Sequence, residues 1–376
     1  MKYILNNINL FDQIIFSITL ISLVIILIYY FYFFIRINYY RQSNLIFNKP
    51  ISIIICAKNE YENLKQNLPL LLSQNYLKFE VIVVNDQSSD NSIILLENLA
   101  KSHENLIIVN IDDFVRHKEG KKFALTLGIK TAKYEHLLLT DADCYPNSNN
   151  WITIMSRGLN KKDIVLGFGG YKRVNGILNK IIRYDTFNVA QQYLSFALRQ
   201  KTYMGVGRNL AYKKSLFFDN KGFASHMHIP SGDDDLFIQE IVTNNNVSIE
   251  IETESHTKSE VSKSWNEWIY QKRRHLSTSP QYKLRFKFLL SIYPFSQLLF
   301  IFGIITLLII QFNIIYISIL VGIKLFNSYL INYKSMKRLD SNDLYLLHPF
   351  YEILNLLIQS NFVLLNMFRK PKRWSK

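Results

Sequence analysis

The chain has 376 residues, of which 49% are hydrophobic and 14% aromatic, with a formal net charge of +15 and two cysteines. Cys56 and Cys144 are far apart and neither sits in a CxxC pattern, which excludes a disulfide framework and a cysteine zinc site. The positive charge comes with no basic recognition helix and no aromatic platform motif, so nucleic acid is not an expected partner.

In chain order, a short segment (1–13) leads into "IIFSITLISLVIILIYYFYFFI", residues 14–35, which carries no charge. At about 1.5 Å per residue such a helix crosses a hydrocarbon core of about 30 Å. The apolar core is too long for a signal peptide and lacks a small-residue cleavage site, so a retained transmembrane anchor is expected. Arg36, Arg41 and Lys49 follow it and only Lys2 precedes it. The positive-inside rule then puts the N-terminus outside and residues 36–285 in the cytosol.

The next region reads as alternating strands and helices. "ISIIICA" (51–57), "FEVIVVND" (79–86), "NLIIVNI" (105–111) and "EHLLLTDAD" (135–143) are apolar runs expected as strands covered on both faces. "ENLKQNLPLLLSQ", "SIILLENLAKSH" and "KKFALTLGIKTA" lie between them with helical spacing. This βαβαβαβ order predicts an α/β fold with a mostly parallel sheet and right-handed crossovers. Ligands bind beyond the carboxyl ends of such strands. The polar clusters fall there: "AKNE" (57–60), "NDQSSD" (85–90), "EGKKFAL" (119–125) and Asp141 with Asp143. No GxGxxG follows the first strand and no GxxxxGK[ST] occurs, which argues against a dinucleotide site and a P-loop.

Side chains two apart on a strand point the same way, so Asp141 and Asp143 are expected to present two carboxylates to one point. Such a pair repels itself unless a cation lies between. Mg²⁺ takes one or two protein carboxylates and fills its shell with water and phosphate oxygens, so a divalent ion, Mg²⁺ or Mn²⁺, on a diphosphate is the expected occupant.

Three further stretches complete the pattern: "GVGRN" (205–209), "SGDDDLF" (231–237) and "QKRRH" (271–275). "SGDDD" reads both as a helix N-cap and as a source of a general base. Three adjacent acids are expected to raise one another's pKa. "SHMHIP" offers His226 and His228 at strand spacing, but no third metal partner is near; it is expected to be a loop above the site.

With these stretches in this order, residues 50–290 resemble the family 2 glycosyltransferases, most closely the membrane-embedded branch that includes cellulose, chitin and hyaluronan synthases. The resemblance implies a GT-A fold, a nucleotide-diphosphate sugar donor, usually UDP-linked, and inversion at the anomeric carbon. It implies that Ala57, Glu60 and Asp86 line the nucleotide pocket, that Lys121 or Lys122 is the basic residue there, and that Asp141 and Asp143 are the DxD pair, with Asp143 the more direct metal ligand. It gives Asp233 as general base, with Asp234 as the alternative, and Gln271 and Arg274 as the Q-x-x-R pair, Arg274 facing the leaving diphosphate. Asn209 and His275 fall on the acceptor side. His275 stands where the family usually has Trp, a departure that weakens the case for a polymerase.

Beyond the domain at 48–285, the region 286–368 offers two further spans, Phe288–Gln311 and Ile314–Tyr333. A third segment, Leu344–Phe368, carries His348, Glu352, Asn355, Gln359 and Asn361, so it either spans with a polar face turned to protein or lies in the interface. The basic stretches "YKSMKR" and "RKPKRWSK" (the tail, 369–376) both favour the cytosol, and three C-terminal crossings cannot satisfy both. "NEWIYQKRRHL" reads as an amphipathic helix whose Trp residues anchor it at the membrane surface. The sequence thus leads to an integral protein of a bacterial inner membrane, with its catalytic domain in the cytosol. It would transfer sugar to a lipid-linked or cell-surface glycan acceptor. A polyprenyl-phosphate sugar synthase and a non-catalytic membrane scaffold or export subunit are the alternatives.

Overall fold

A computed structural model describes residues 9–111, 120–229 and 231–368. Helix α1 runs Leu10–Asn38, longer than the expected anchor at both ends, with its turn widened over Tyr29–Phe34. The globular part follows as β1 (Ile51–Ala57), α2 (Tyr61–Leu72), β2 (Phe79–Asn85), α3 (Ser92–Ala100), β3 (Leu106–Asn110), α4 (Lys121–Thr131), β4 (His136–Leu139), β5 (Cys144–Pro146) and α5 (Trp151–Ser156). Then come β6 (Ile164–Leu166), β7 (Gly169–Tyr171), α6 (Ile177–Ala197), β8 (Leu210–Lys213), α7 (Lys214–Asp219), α8 (Asp235–Ile241), β9 (Val247–Ile249), β10 (Thr257–Ser259) and α9 (Trp265–Leu276). Helices α10 (Leu284–Ile309), α11 (Ile314–Arg338) and α12 (His348–Phe368) close the described chain.

Seven strands form the main sheet in the order β3-β2-β1-β4-β8-β6-β9. The first four are parallel, as the alternating pattern predicts. β8 runs antiparallel to both β4 and β6, so the sheet is mixed on its far side. The continuous apolar runs have a direct cause. In β1 and β2, Ile51, Ile53, Ile55, Val81 and Val83 face one core with Leu64, Leu68 and Leu71 of α2, while Ile54, Ile82 and Val84 face the other with Ala124 and Ile129 of α4. Burying each such side chain contributes roughly 1.5–3 kcal/mol, so both faces must be apolar. A smaller sheet, β5-β10-β7, stands beside the main one.

Three helices, α1, α10 and α11, are long and apolar enough to cross a membrane. They share a buried polar knot with α12. Tyr30 Oη and Gln297 Nε2 donate to Glu352 Oε1 at 3.0 and 2.7 Å, and Lys324 Nζ lies 2.7 Å from Glu352 Oε2. At the C-terminal end of α11, Arg338 donates to the Tyr40 carbonyl, and the turn that follows is held to the globular domain by Arg183–Asp343 and Lys258–Asp340 ion pairs.

Candidate active site

The expected site residues gather beyond the carboxyl edge of β1, β2 and β4. β1 ends at buried Ala57, whose carbonyl accepts from the N–H of Asp86, so the ends of β1 and β2 are tied together. Glu60 precedes α2 and accepts from Asn63 Nδ2 at 2.5 Å. It lines a cavity of about 430 Å³ with Asn59, Tyr61, Asn63, Asp90 and Asn91. Asp90 itself is structural: it accepts from the N–H groups of Tyr61 and Ser92, each at 3.0 Å.

The fourth strand stops at Leu139, four residues earlier than the sequence suggested, and this corrects the argument for the paired acids. Asp141, Ala142 and Asp143 form a turn in which the Cys144 N–H donates to the Asp141 carbonyl at 3.0 Å. The turn, not strand alternation, draws the carboxylates together, and the ligand atoms of Asp141, Asp143 and Cys144 lie within 4.8 Å of one another. Burial, then the charge of Asp141, pushes the Asp143 carboxyl above its ordinary range. The Cys144 thiol is buried, pushed up by that burial, and donates to Asp143 and Ser259. It is therefore a neutral thiol, and the donor set is two carboxylates with excess negative charge, which fits a hard divalent ion.

The two lysines opening α4 have different tasks. Lys121 Nζ lies 2.8 Å from Asp141 Oδ1 and 3.1 Å from Asp233 Oδ2, bridging the first DxD acid to the expected base. Lys122 turns away. Its buried Nζ donates to the carbonyls of His226 at 2.6 Å and Ile229 at 3.2 Å, so it braces the loop before the acidic triplet, and burial lowers its pKa to about 8. His226 Nδ1 faces Ser225 and Glu240 as part of this loop.

The triplet "DDD" also divides its work. Gly232 has φ +100°, a backbone state that favours glycine, and it turns the chain into α8. Asp234 caps that helix through the Asp235 N–H and accepts from the Gly207 N–H at 2.8 Å. Asp235 accepts from Thr278 Oγ1 at 2.5 Å and Tyr282 Oη at 2.7 Å, which ties α8 to the segment after α9. The expectation that the acids all raise one another fails at Asp233. Burial works to raise it, but Lys121 holds it below the ordinary range. Burial and the flanking acids instead push Asp234 up to about 7.

α9 starts at a Ser264 cap, whose Oγ accepts from the Glu267 N–H. Gln271 Nε2 donates to Tyr171 Oη at 3.4 Å. Arg274 Nε is buried and has no partner among the described residues. His275 is exposed near the end of the helix, among the positive charges of Arg274, Lys272, Arg208 and Lys121. Trp268 is not a surface anchor: it is buried against Phe362 of α12, although Trp265 stays exposed.

Asn209 is another correction. It is fully buried, donates to the Phe168 and Ser255 carbonyls at 2.8 Å each and accepts from Trp151 Nε1 at 3.0 Å. All its polar atoms are used inside the fold, so it does not reach an acceptor. Its neighbour Arg208, which sequence reasoning passed over, is the residue at the site. The guanidinium stacks on the Tyr171 ring at 4.5 Å, donates to Ser259 Oγ, and its charge acts on Asp143. Its Nε is also buried without a partner among the described residues. A side chain at Gly169 would put Cβ 2.6 Å from that Nε, so Gly169, among the glycines of "GFGGY", clears its path. Those glycines were the available sequence signal.

Two carboxylates on a tight turn, a lysine bridging one of them to a third, and two incompletely bonded guanidinium groups thus gather at the carboxyl edge of the sheet. Residues 52–219 match the family model described as Glycosyl transferase family 2. These residues form a family 2 glycosyltransferase domain. A stretch of 93 residues is 34% identical to the poly-beta-1,6-N-acetyl-D-glucosamine synthase of Staphylococcus aureus (strain COL), covering 25% of this chain and 21% of that protein. The Staphylococcus epidermidis synthase of that name is 36% identical over 93 residues, with equal coverage. The matched stretch is thus about a fifth of the length of these relatives. The mannosyltransferase PcManGT from Pyrobaculum calidifontis, solved with GDP-Man and Mn²⁺, superposes with a TM-score of 0.56 at 17% identity, covering 92% of this chain and 99% of that one. That likeness shows the fold, and the fold is GT-A. The α/β domain with a mostly parallel sheet and apolar helices at both ends is the architecture expected from sequence.

Proposed function

We propose that this protein is a membrane-bound inverting glycosyltransferase that moves a sugar from a nucleotide-diphosphate donor, UDP-linked in the first instance, to a lipid-linked or surface glycan acceptor. The observation that carries the reading is the Lys121 bridge between Asp141 and Asp233 at the carboxyl edge of the sheet. It joins the DxD turn to the acid expected to serve as base. Asp143 and Asp141 would hold the divalent ion, which supplies countercharge to the donor's diphosphate when bound. Ala57, Glu60 and Asp86 would line the nucleotide pocket.

Lys121 couples the two halves. With no donor, its ammonium keeps Asp233 ionised and a weak base. A diphosphate bound beside Asp141 competes for the ammonium, and Asp233 then gains basicity next to the attacking hydroxyl. Arg274 and Arg208 add charge-assisted donors for developing negative charge on the leaving group. Asp234, near neutrality and held by Gly207, keeps the loop in place rather than taking the proton. The domain would face the cytosol of a bacterial inner membrane, because Arg36, Arg41, Lys334, Lys337 and Arg338 all lie at the domain ends of the spans.

The test offers membranes holding the purified protein UDP-, GDP- and dTDP-sugars with Mg²⁺ or Mn²⁺ and follows transfer. One donor is expected to be consumed. Asp233→Asn should bind that donor as the unmodified protein does, yet transfer about 10²–10⁴-fold more slowly. Normal transfer by this variant would remove Asp233 as the base.

A further inference from the structure

The last helix, α12, is long enough to cross a bilayer: His348 to Asn366 is about 27 Å at about 1.5 Å per residue. Its contacts show that it does something else. Near its start, His348 Nδ1 meets Tyr184 Oη of α6 at 2.9 Å, and Tyr351 stacks on the same ring. Midway, Gln359 Nε2 donates to Asp185 at 2.5 Å. Near its end, Phe362 packs on Trp268 of α9, and Asn366 exchanges two hydrogen bonds of 2.9 Å with Arg273. Both α6 and α9 belong to the globular domain. A helix with both ends on one globular domain has no bilayer between those ends.

The opposite face of α12 is apolar and bare. Phe350, Ile353, Leu357, Leu364 and Phe368 are between 42% and 87% exposed and fall on one stripe of the helix. Three observations say what covers it. The start of the helix is fixed to all three candidate spans by the face opposite the stripe, where Glu352 bonds to Tyr30, Gln297 and Lys324. The chain continues from Phe368 into five Lys and Arg residues within 369–376, matched to anionic headgroups. The faces are largely segregated, with His348, Glu352, Gln359 and Asn366 on protein and aliphatic and aromatic groups outward, the exposed Asn361 bonding only the Leu357 carbonyl of its own helix.

We infer that α12 is a membrane-lying helix whose exposed stripe docks on the anionic lipid leaflet on the catalytic side, and that it carries α9 on its back. α9 bears Gln271 and Arg274, so the mouth of the site is held at the lipid surface. The inference also answers the parity problem in the sequence: with α12 lying flat, the basic stretches at 333–338 and 369–376 share one side. It does not depend on which donor the site takes.

Two measurements on the full-length chain test it. Nitroxide labels at Ile353→Cys, Leu357→Cys and Leu364→Cys, in a Cys56→Ala, Cys144→Ala background, are read for depth in phosphatidylethanolamine–phosphatidylglycerol vesicles. Equal depths, about 5–10 Å below the headgroups, are expected. A spanning helix would separate positions 353 and 364 by about 16 Å, and that result overturns the inference. In sealed vesicles, an epitope inserted at 244–245 and one at the C-terminus should be reached by protease from the same side. Opposite sides would likewise overturn it.

Discussion

Two lysine–carboxylate clusters in this protein differ in what surrounds them. Lys324 and Glu352 meet among the membrane helices with side chains 8% and 9% exposed, and tyrosine and glutamine donors fill the remaining carboxylate positions. Lys121 meets Asp141 and Asp233 with 32% exposure on the lysine and 35% on Asp141. There burial and the charge of Asp141 push the neighbouring Asp143 carboxyl above its ordinary range, and Arg274 and Arg208 have unused donors. The first cluster is closed and can only hold helices together. The second is open, over-supplied with charge of both signs, and arranged so that a ligand can exchange its partners.

The widest separation between the two is expected in stability. Glu352→Gln leaves a buried ammonium without its countercharge, a loss of about 3–5 kcal/mol. It should read as a large fall in the detergent melting temperature. Lys121→Met breaks a partly solvated bridge and should change stability by less than about 1 kcal/mol, while weakening donor binding. Equal melting losses in the two variants would erase the distinction.

A third difference is in pH dependence. Burial, then the charges of Asp233 and Asp235, push the Asp234 carboxyl up to about 7 in the folded protein, against an ordinary value of 3.8. The folded state therefore holds a proton that the unfolded state has lost, and stability should fall as pH rises from about 4 to about 7. Asp234→Asn should flatten that part of the melting curve against pH. An unchanged slope would mean that Asp234 is ionised throughout.

Much of this was legible in the residues. "ISIIICA" is β1 residue for residue, and the expected second strand differs from β2 only by Asp86. A parallel strand covered on both faces has to be continuously apolar, and its polar exit marks the ligand edge. The far side of the sheet was not legible, since β6 and β9 have three residues each, too few for a period. At single positions the difficulty was tertiary. Asn209 looked available because its partners Phe168, Ser255 and Trp151 come from distant parts of the chain. Which acid of the triplet is raised depends on where Lys121 lands, and 112 residues separate it from Asp233. Trp268 looked like a membrane anchor, yet it packs on Phe362 of α12, and the polar face of α12 finds its partners on α6, α9 and the three apolar helices.

The account stands on the acids at 141 and 143 accepting a divalent ion together with a nucleotide diphosphate. Mn²⁺ binding followed by electron paramagnetic resonance, with and without UDP or GDP, addresses this directly. The unmodified protein should take up Mn²⁺ more tightly when its nucleotide is present, and Asp143→Asn should lose at least about tenfold in that affinity, about 1.4 kcal/mol. Equal Mn²⁺ and nucleotide binding by the two proteins would contradict it.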